Sequence, residues 1–244
     1  MDQNKAKVLV IVEGGKTDVR LMHKLFDIYG INQNHVIVSY NTNIYVLYGQ
    51  MFSEGHPEDY DILSVLKSRE KDPAKKKIFD DLYSDILLIF DLDPHDPQFS
   101  KEKIEEMVTY FTESSDMGKL YLNYPMVEAF YHMKTIPDPY YESYIVSMEE
   151  LLKKEYKMRV HRENRNHSYE KFAVDRTECN LVIHQNISKG FFLLGKSPSR
   201  NELPDTAQIL EAQLKQIKNQ SALSVLCTCV FYIPEYNPHL IEED

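Results

Sequence analysis

The sequence predicts an α/β protein: a mostly parallel sheet flanked by helices, with a smaller, mainly helical C-terminal lobe. Three observations predict it. The runs KVLVIV (Lys7 to Val12) and DILLIF (Asp85 to Phe90) are apolar and rich in β-branched residues without polar alternation, the pattern of strands buried on both faces. Each run leads through a turn into apolar residues at helical spacing, and strands that alternate with helices build parallel sheets. Beyond Ile136 that alternation stops and helical patterns remain.

In chain order, the strand at Lys7 to Val12 precedes a helix carrying Val19, Met22, Phe26 and Tyr29, with Thr17 as N-cap, Asp18 in the first turn and Gly30 as the stop. HVIVSY (His35 to Tyr40) is a second strand. The polar stretch from Asn43 to Ile78 reads as helices and loops ending in the solvated run KDPAKKK. After Asp85 to Phe90, Ser100 caps a helix bearing Ile104, Met107, Val108 and Phe111, with Phe99 placed to staple onto Ile104. KLYL (Lys119 to Leu122) is a further strand, and Asn123-Tyr124-Pro125 starts a short helix reaching Met133. PDPYY reads as a linker between a domain over 1–135 and a lobe over 136–244, with helices near 148–157 and 205–218.

Bulk properties exclude several classes. With 244 residues the chain is long enough for one principal core, and 43% apolar with 27% charged residues is the ordinary range of a globular protein. No apolar stretch approaches the roughly 20 residues of a membrane-spanning helix, and MDQNKAKVLVIVEGG runs into a strand rather than a cleavage site. The expectation is therefore a cytoplasmic protein without membrane attachment. Three cysteines without CxxC spacing imply buried thiols rather than a disulfide framework or a zinc site.

A formal net charge of -10 argues against coating nucleic acid by charge alone. Locally the balance reverses: Lys153 to Arg176 holds eight Lys or Arg against four Asp or Glu, which permits a basic face. Within it, His161, Arg162, Arg165 and His167 form either a solvated loop or a phosphate-binding group.

Buried parallel strands deliver their last residues to the carboxyl edge of the sheet, where ligands bind in open α/β folds. The first strand ends at Glu13-Gly14-Gly15 and the later one at Asp91-Leu92-Asp93-Pro94-His95-Asp96. Asp91 and Asp93 are two apart, so an extended backbone points both carboxylates to one side, where they hold one hard cation such as Mg²⁺. Such crowding requires a counter-charge, because close carboxylates resist joint ionisation. The alternative for the pair is a solvated strand-to-turn junction, since DPHDP is also good turn chemistry, and Asp96 and His95 fit that turn.

A strand ending in Glu-Gly, then a helix, then a later strand ending in Asp-x-Asp resembles the TOPRIM domain of topoisomerases, primases and OLD-type nucleases, over about the first 135 residues. The resemblance implies a Glu acting in proton transfer and Asp carboxylates binding Mg²⁺ or Mn²⁺ during phosphodiester chemistry, here Glu13, Asp91 and Asp93. Gly14, Gly15 and Lys16, with Arg162 and Arg165, would then face substrate phosphate. The size of the chain and the segment NYPMVEAF (Asn123 to Phe130) also resemble stand-alone TOPRIM effectors of bacterial anti-phage systems, the RloB-like proteins and the PARIS nuclease component. That likeness implies a toxic DNA- or RNA-cutting effector, a partner ATPase that restrains it, and Glu128 as an additional metal or substrate ligand. Helical spacing puts Glu128 and His132 one turn apart on a shared face, and a homodimer is a separate expectation for the assembly.

Two competing functions come from other classes. IFDLD resembles the first motif of haloacid-dehalogenase-like phosphatases, yet it continues Pro-His-Asp and lies after another β-α unit. A non-catalytic subunit that docks a partner through the C-terminal lobe is the other. Gly15-Lys16-Thr17 looks like the end of a P-loop, but Val10 stands where its first glycine is required.

Overall fold

The computed structural model describes residues 7–115, 117–198 and 202–242. It is an α/β fold with a mostly parallel five-stranded sheet flanked by helices. Two compact units are formed: residues up to Phe90 together with Glu102–Leu120, and Asp91–Lys101 together with Tyr121 onward. The division passes through a strand, one residue before its end.

The first unit contains β1 (Val8–Val12), α1 (Thr17–Tyr29), β2 (His35–Ser39), α2 (Ile44–Met51), α3 (Ile62–Arg69) and the single turn α4 (Pro73–Lys76). It continues with β3 (Asp85–Asp91), α5 (Lys101–Tyr110), the two-residue β4 (Thr112–Glu113) and the start of β5 (Gly118–Asn123). The strand order is β2-β1-β3-β5-β4. β1 runs parallel to both neighbours, Val8 facing His35 on one side and Asp85 on the other. All five residues of β1 are buried, as expected for a central parallel strand covered on both faces. Leu21, Met22, Leu25 and Phe26 form the buried face of α1, and Phe52 packs its ring against Tyr48, Tyr110 and Phe111. Gly30, at φ 68°, closes α1 in the left-handed region, its N–H reaching the carbonyls of Asp27 and Phe26. Thr17 is not the N-cap. The first helical bond runs from Arg20 N to Lys16 O, so the cap position falls one residue earlier and carries no side-chain cap.

The second unit holds the end of β3, β6 (Ile145–Ser147), α6 (Met148–Leu152), α7 (Tyr156–Glu163), α8 (Arg176–Leu193), α9 (Thr206–Gln220), β7 (Ala222–Ser224) and α10 (Tyr232–Tyr236). β6 and β7 pair antiparallel as a separate two-stranded sheet. The side chain of Gln213 acts as a further strand to β7, donating to Ser224 O at 2.8 Å and accepting from Ser224 N at 2.9 Å. α8 buries Asn186 and Lys189. Lys189 Nζ donates to the carbonyls of Tyr141 and Tyr144 at 2.8 and 2.7 Å, and burial holds its pKa well below the usual lysine value.

Two local expectations change here. Tyr124–Pro125 is a cis peptide and Met126 is extended, so the helical turn begins only at Val127 and is a 3₁₀ turn ending at Tyr131. PDPYY is not an exposed linker: Asp138 is buried and accepts from Lys134 N, Tyr140 N and the Tyr144 hydroxyl, while Tyr141 gives its hydroxyl to Asn186. Tyr140 alone of the three tyrosines is exposed. All three cysteines are buried. Among the described residues no helix is long and apolar enough to cross a membrane.

Candidate metal centre

The β1–β3 ladder sets the positions of the acids. Val12 lies opposite Ile89, and Glu13 N continues the ladder by donating to Ile89 O at 3.0 Å. Glu13 therefore leaves β1 beside Ile89 of β3. Asp91 ends β3 and is buried, and its Oδ1 accepts from Val127 N at 2.8 Å at the start of the 3₁₀ turn. One carboxylate oxygen from each of Glu13, Asp91 and Asp93 lies within 4.8 Å of the others.

Asp91 and Asp93 converge, but not by simple strand alternation. Leu92 N and Asp93 N donate to Asn123 O and Pro125 O at 3.0 and 3.2 Å, and Asp93 then takes a left-handed φ of 40°. That conformation is uncommon for any residue with a Cβ, and Asp and Asn tolerate it best. It turns the chain into the Asp93–Asp96 turn, where Asp96 Oδ1 accepts from Gln98 N at 2.7 Å, the turn role expected of it.

Four residues at this end of the second unit carry buried polar atoms without hydrogen-bond partners: Asp93 Oδ1, His95 Nδ1, Asn123 Nδ2 and Glu128 Oε2. Buried polar atoms are nearly always satisfied, so such a concentration points to a ligand or ion. Burial pushes the Asp93 carboxyl above its ordinary pKa; His95 and Lys157 pull it down, and Glu128 and Asp96 push it further up.

The counter-charge is Lys157 on α7, 3.1 Å from Glu128 Oε1. Burial acts to lower the Lys157 pKa, but the carboxylates of Glu128, Asp91 and Asp93 outweigh it and hold the ammonium above the usual lysine value. The sequence offered only the local excess of Lys and Arg as a sign of this residue. Glu128 and His132 do not share a face. His132 ends the 3₁₀ turn and faces Tyr156 and Glu163, both at 3.2 Å, whereas Glu128 faces Lys157.

Of the phosphate candidates, Gly14, Gly15 and Lys16 belong to the first unit and Arg162 and Arg165 to the second. A Cβ on Gly14 would stand 2.6 Å from Asp18 Oδ2 and one on Gly15 3.0 Å from Asn41 Oδ1, so both glycines leave room for a neighbouring side chain of the chain itself. Lys16 is exposed before α1. Arg165 makes a two-pronged pair with Glu178 at 2.7 and 2.9 Å and also donates to Asn166, which commits it to structure. Arg162 is exposed beside Glu163, His161 lies beside the Tyr169 ring, and His167 sits in a turn at φ 51°.

No family model matches this chain, and no curated protein or solved structure matches it either.

Proposed function

We propose that this protein is a metal-dependent nuclease that cleaves nucleic-acid phosphodiester bonds, with Asp91 and Asp93 as metal-holding carboxylates and Glu13 sharing the metal or acting in proton transfer. The convergence of three carboxylates at adjacent strand ends carries the reading. Mg²⁺ and Mn²⁺ take a few carboxylates and leave positions for water and phosphate oxygens, a donor set that these residues fit. The buried, unpartnered Asp93 Oδ1 and Glu128 Oε2 are the fit at atomic level. A bound divalent ion supplies Lewis acidity toward a phosphoryl oxygen and eases deprotonation of water.

The chain's own residues do the rest. The Val127 N–H fixes one oxygen of Asp91, so the other is held in a constant direction. Glu13 is less buried than Asp91, which suits a group that exchanges protons with water or substrate. Lys157 balances the acids, its ammonium lying 3.1 Å from Glu128 Oε1. An acid at the end of β1 and an Asp-x-Asp at the end of β3, in a mostly parallel sheet, support the TOPRIM resemblance; a toxic anti-phage effector restrained by an ATPase is the setting that follows from it.

The test is cleavage of labelled single- and double-stranded DNA and RNA in Mn²⁺. The expected result is cleavage of at least one substrate, lost in EDTA and in Glu13→Ala at unchanged circular dichroism. Absence of cleavage together with absence of Mn²⁺ binding would contradict the reading.

A further inference from the structure

A cavity of about 320 Å³ opens where β1 and β2 end, within the first unit. Its floor is apolar: Ile11, Val38, Leu66 and Phe79 are all buried. Its wall is polar, with Ser39 and Asn41 at the exit of β2, and Arg69 and Lys71 at the end of α3. Small-molecule sites span about 300–1,000 Å³, so the space suits one nucleotide-sized group and not an extended cofactor.

The charge on this wall is positive and unspent. Glu70, its one acid, is turned to the backbone, where Oε1 accepts from Lys71 N and Asp72 N at 2.7 and 2.8 Å. The Arg69 guanidinium lies 5.0 Å from the centre of the Tyr40 ring, which steadies it. Among the described residues neither Arg69 nor Lys71 is paired with a carboxylate, whereas nearby Lys67 is paired with Asp80. Two unneutralised cations on one small cavity stand out in a chain of formal net charge -10.

The cavity is tied to Glu13. Tyr40 N and Asn41 N donate to Val12 O and Glu13 O, both at 2.8 Å. Asn41 stands at φ 58° and its amide donates to Ser39 O and Oγ at 3.2 and 3.0 Å. The polar wall is thus part of the same strand exit that carries the acid.

We propose that this cavity is a substrate subsite that takes one nucleotide of a nucleic-acid strand. The base lies against the apolar floor with Ser39 and Asn41 at its polar edge, and Arg69 and Lys71 hold phosphate. The proposal rests on the nuclease reading and deepens it with a nucleotide-binding position next to Glu13. A free mononucleotide presents the same chemistry, so the test separates the two sources.

Binding of a ten-nucleotide single-stranded DNA, of the matching RNA, and of adenosine 5′-monophosphate is measured in EDTA. The proteins are the wild type, Arg69→Ala/Lys71→Ala, Arg69→Lys and Lys67→Ala, with folding checked by circular dichroism. The expected result is that at least one strand binds, at least tenfold more weakly in the double variant and within twofold of wild type in Lys67→Ala. The slope of log affinity against log salt should become shallower by about 1.4 in the double variant, about 0.7 for each lost phosphate contact on a single strand. Arg69→Lys keeps the charge but loses the planar fork, and should weaken binding several-fold. Unchanged strand affinity in the double variant overturns the proposal, as does binding of the mononucleotide without either strand. Because no metal is present, the result is independent of the acid cluster: strand binding can stand if Mn²⁺ binding fails, and the reverse.

Discussion

The Lys157 ammonium lies 3.1 Å from Glu128 Oε1, while Glu128 Oε2 is buried with no hydrogen-bond partner. A buried carboxylate oxygen without a partner is a place for an ion or ligand, and removal of the lysine leaves the other oxygen of that carboxylate uncompensated as well. Lys157→Met should lower stability by about 1–2 kcal/mol in EDTA, less than the full cost because solvent screens the exposed lysine stem. Mn²⁺ should raise the thermal midpoint of this variant more than that of the wild type, since the ion then meets the acids without a competing cation. Thermal unfolding with and without Mn²⁺ reads both effects.

Asp93→Asn should separate stability from function. Asn tolerates the left-handed backbone at this position, so the turn survives. Burial raises the Asp93 pKa, which means that the ionised folded form is penalised relative to the unfolded chain. The penalty is absent below the ordinary carboxyl value of 3.8 and grows as pH rises above it through the raised folded value. Urea unfolding in EDTA should show the variant more stable by roughly 1 kcal/mol at pH 7 and equal to wild type in strong acid, with metal binding and cleavage lost.

Gly190→Ala should destabilise even though alanine is the better helix former. A Cβ there would stand 2.5 Å from Pro204 Cγ and 3.0 Å from Pro204 Cβ, and a ring cannot swing aside as a flexible side chain can. Overpacking of about 1–3 kcal/mol outweighs a propensity gain of about 1 kcal/mol. Denaturant midpoints should show a net loss of up to about 2 kcal/mol.

His132 should make the fold acid-sensitive. Glu163 can only accept when ionised, so Nε2 carries the proton and Nδ1 accepts from the Tyr156 hydroxyl, a neutral ring with both nitrogens satisfied. Burial lowers its pKa from 6.5 to about 4, against the opposing pull of Glu163. The unfolded chain therefore binds the proton first: the contribution is complete above pH 6.5 and is lost as pH falls through about 4. A shift of this size corresponds to about 3 kcal/mol at most. Between pH 7 and 4.5 the urea midpoint of the wild type should fall more steeply than that of His132→Gln, and parallel curves would contradict the assignment.

The parallel sheet was legible because Val8–Val12 and Asp85–Asp91 bury nearly every side chain, which leaves uninterrupted apolar runs in the sequence. The acids were legible because strand ends in such a sheet are neighbours by construction. α8 was not legible: it buries Asn180, Asn186 and Lys189 among its apolar residues, and its polar groups are satisfied by distant segments such as Tyr141 and Cys227. No stripe marks such a helix. β6 and β7 are three residues each and exist only as partners of one another across more than seventy positions. Lys157 escaped notice because its role depends on Glu128, which pairing along a single element does not reveal.

The most direct test of the metal centre is Mn²⁺ calorimetry on the wild type and on Asp93→Asn, with circular dichroism to confirm that both are folded. Binding in the wild type that disappears in the variant is the predicted result. A wild type that binds no Mn²⁺, or a variant that binds it undiminished, would contradict the assignment of Glu13, Asp91 and Asp93 as a metal site.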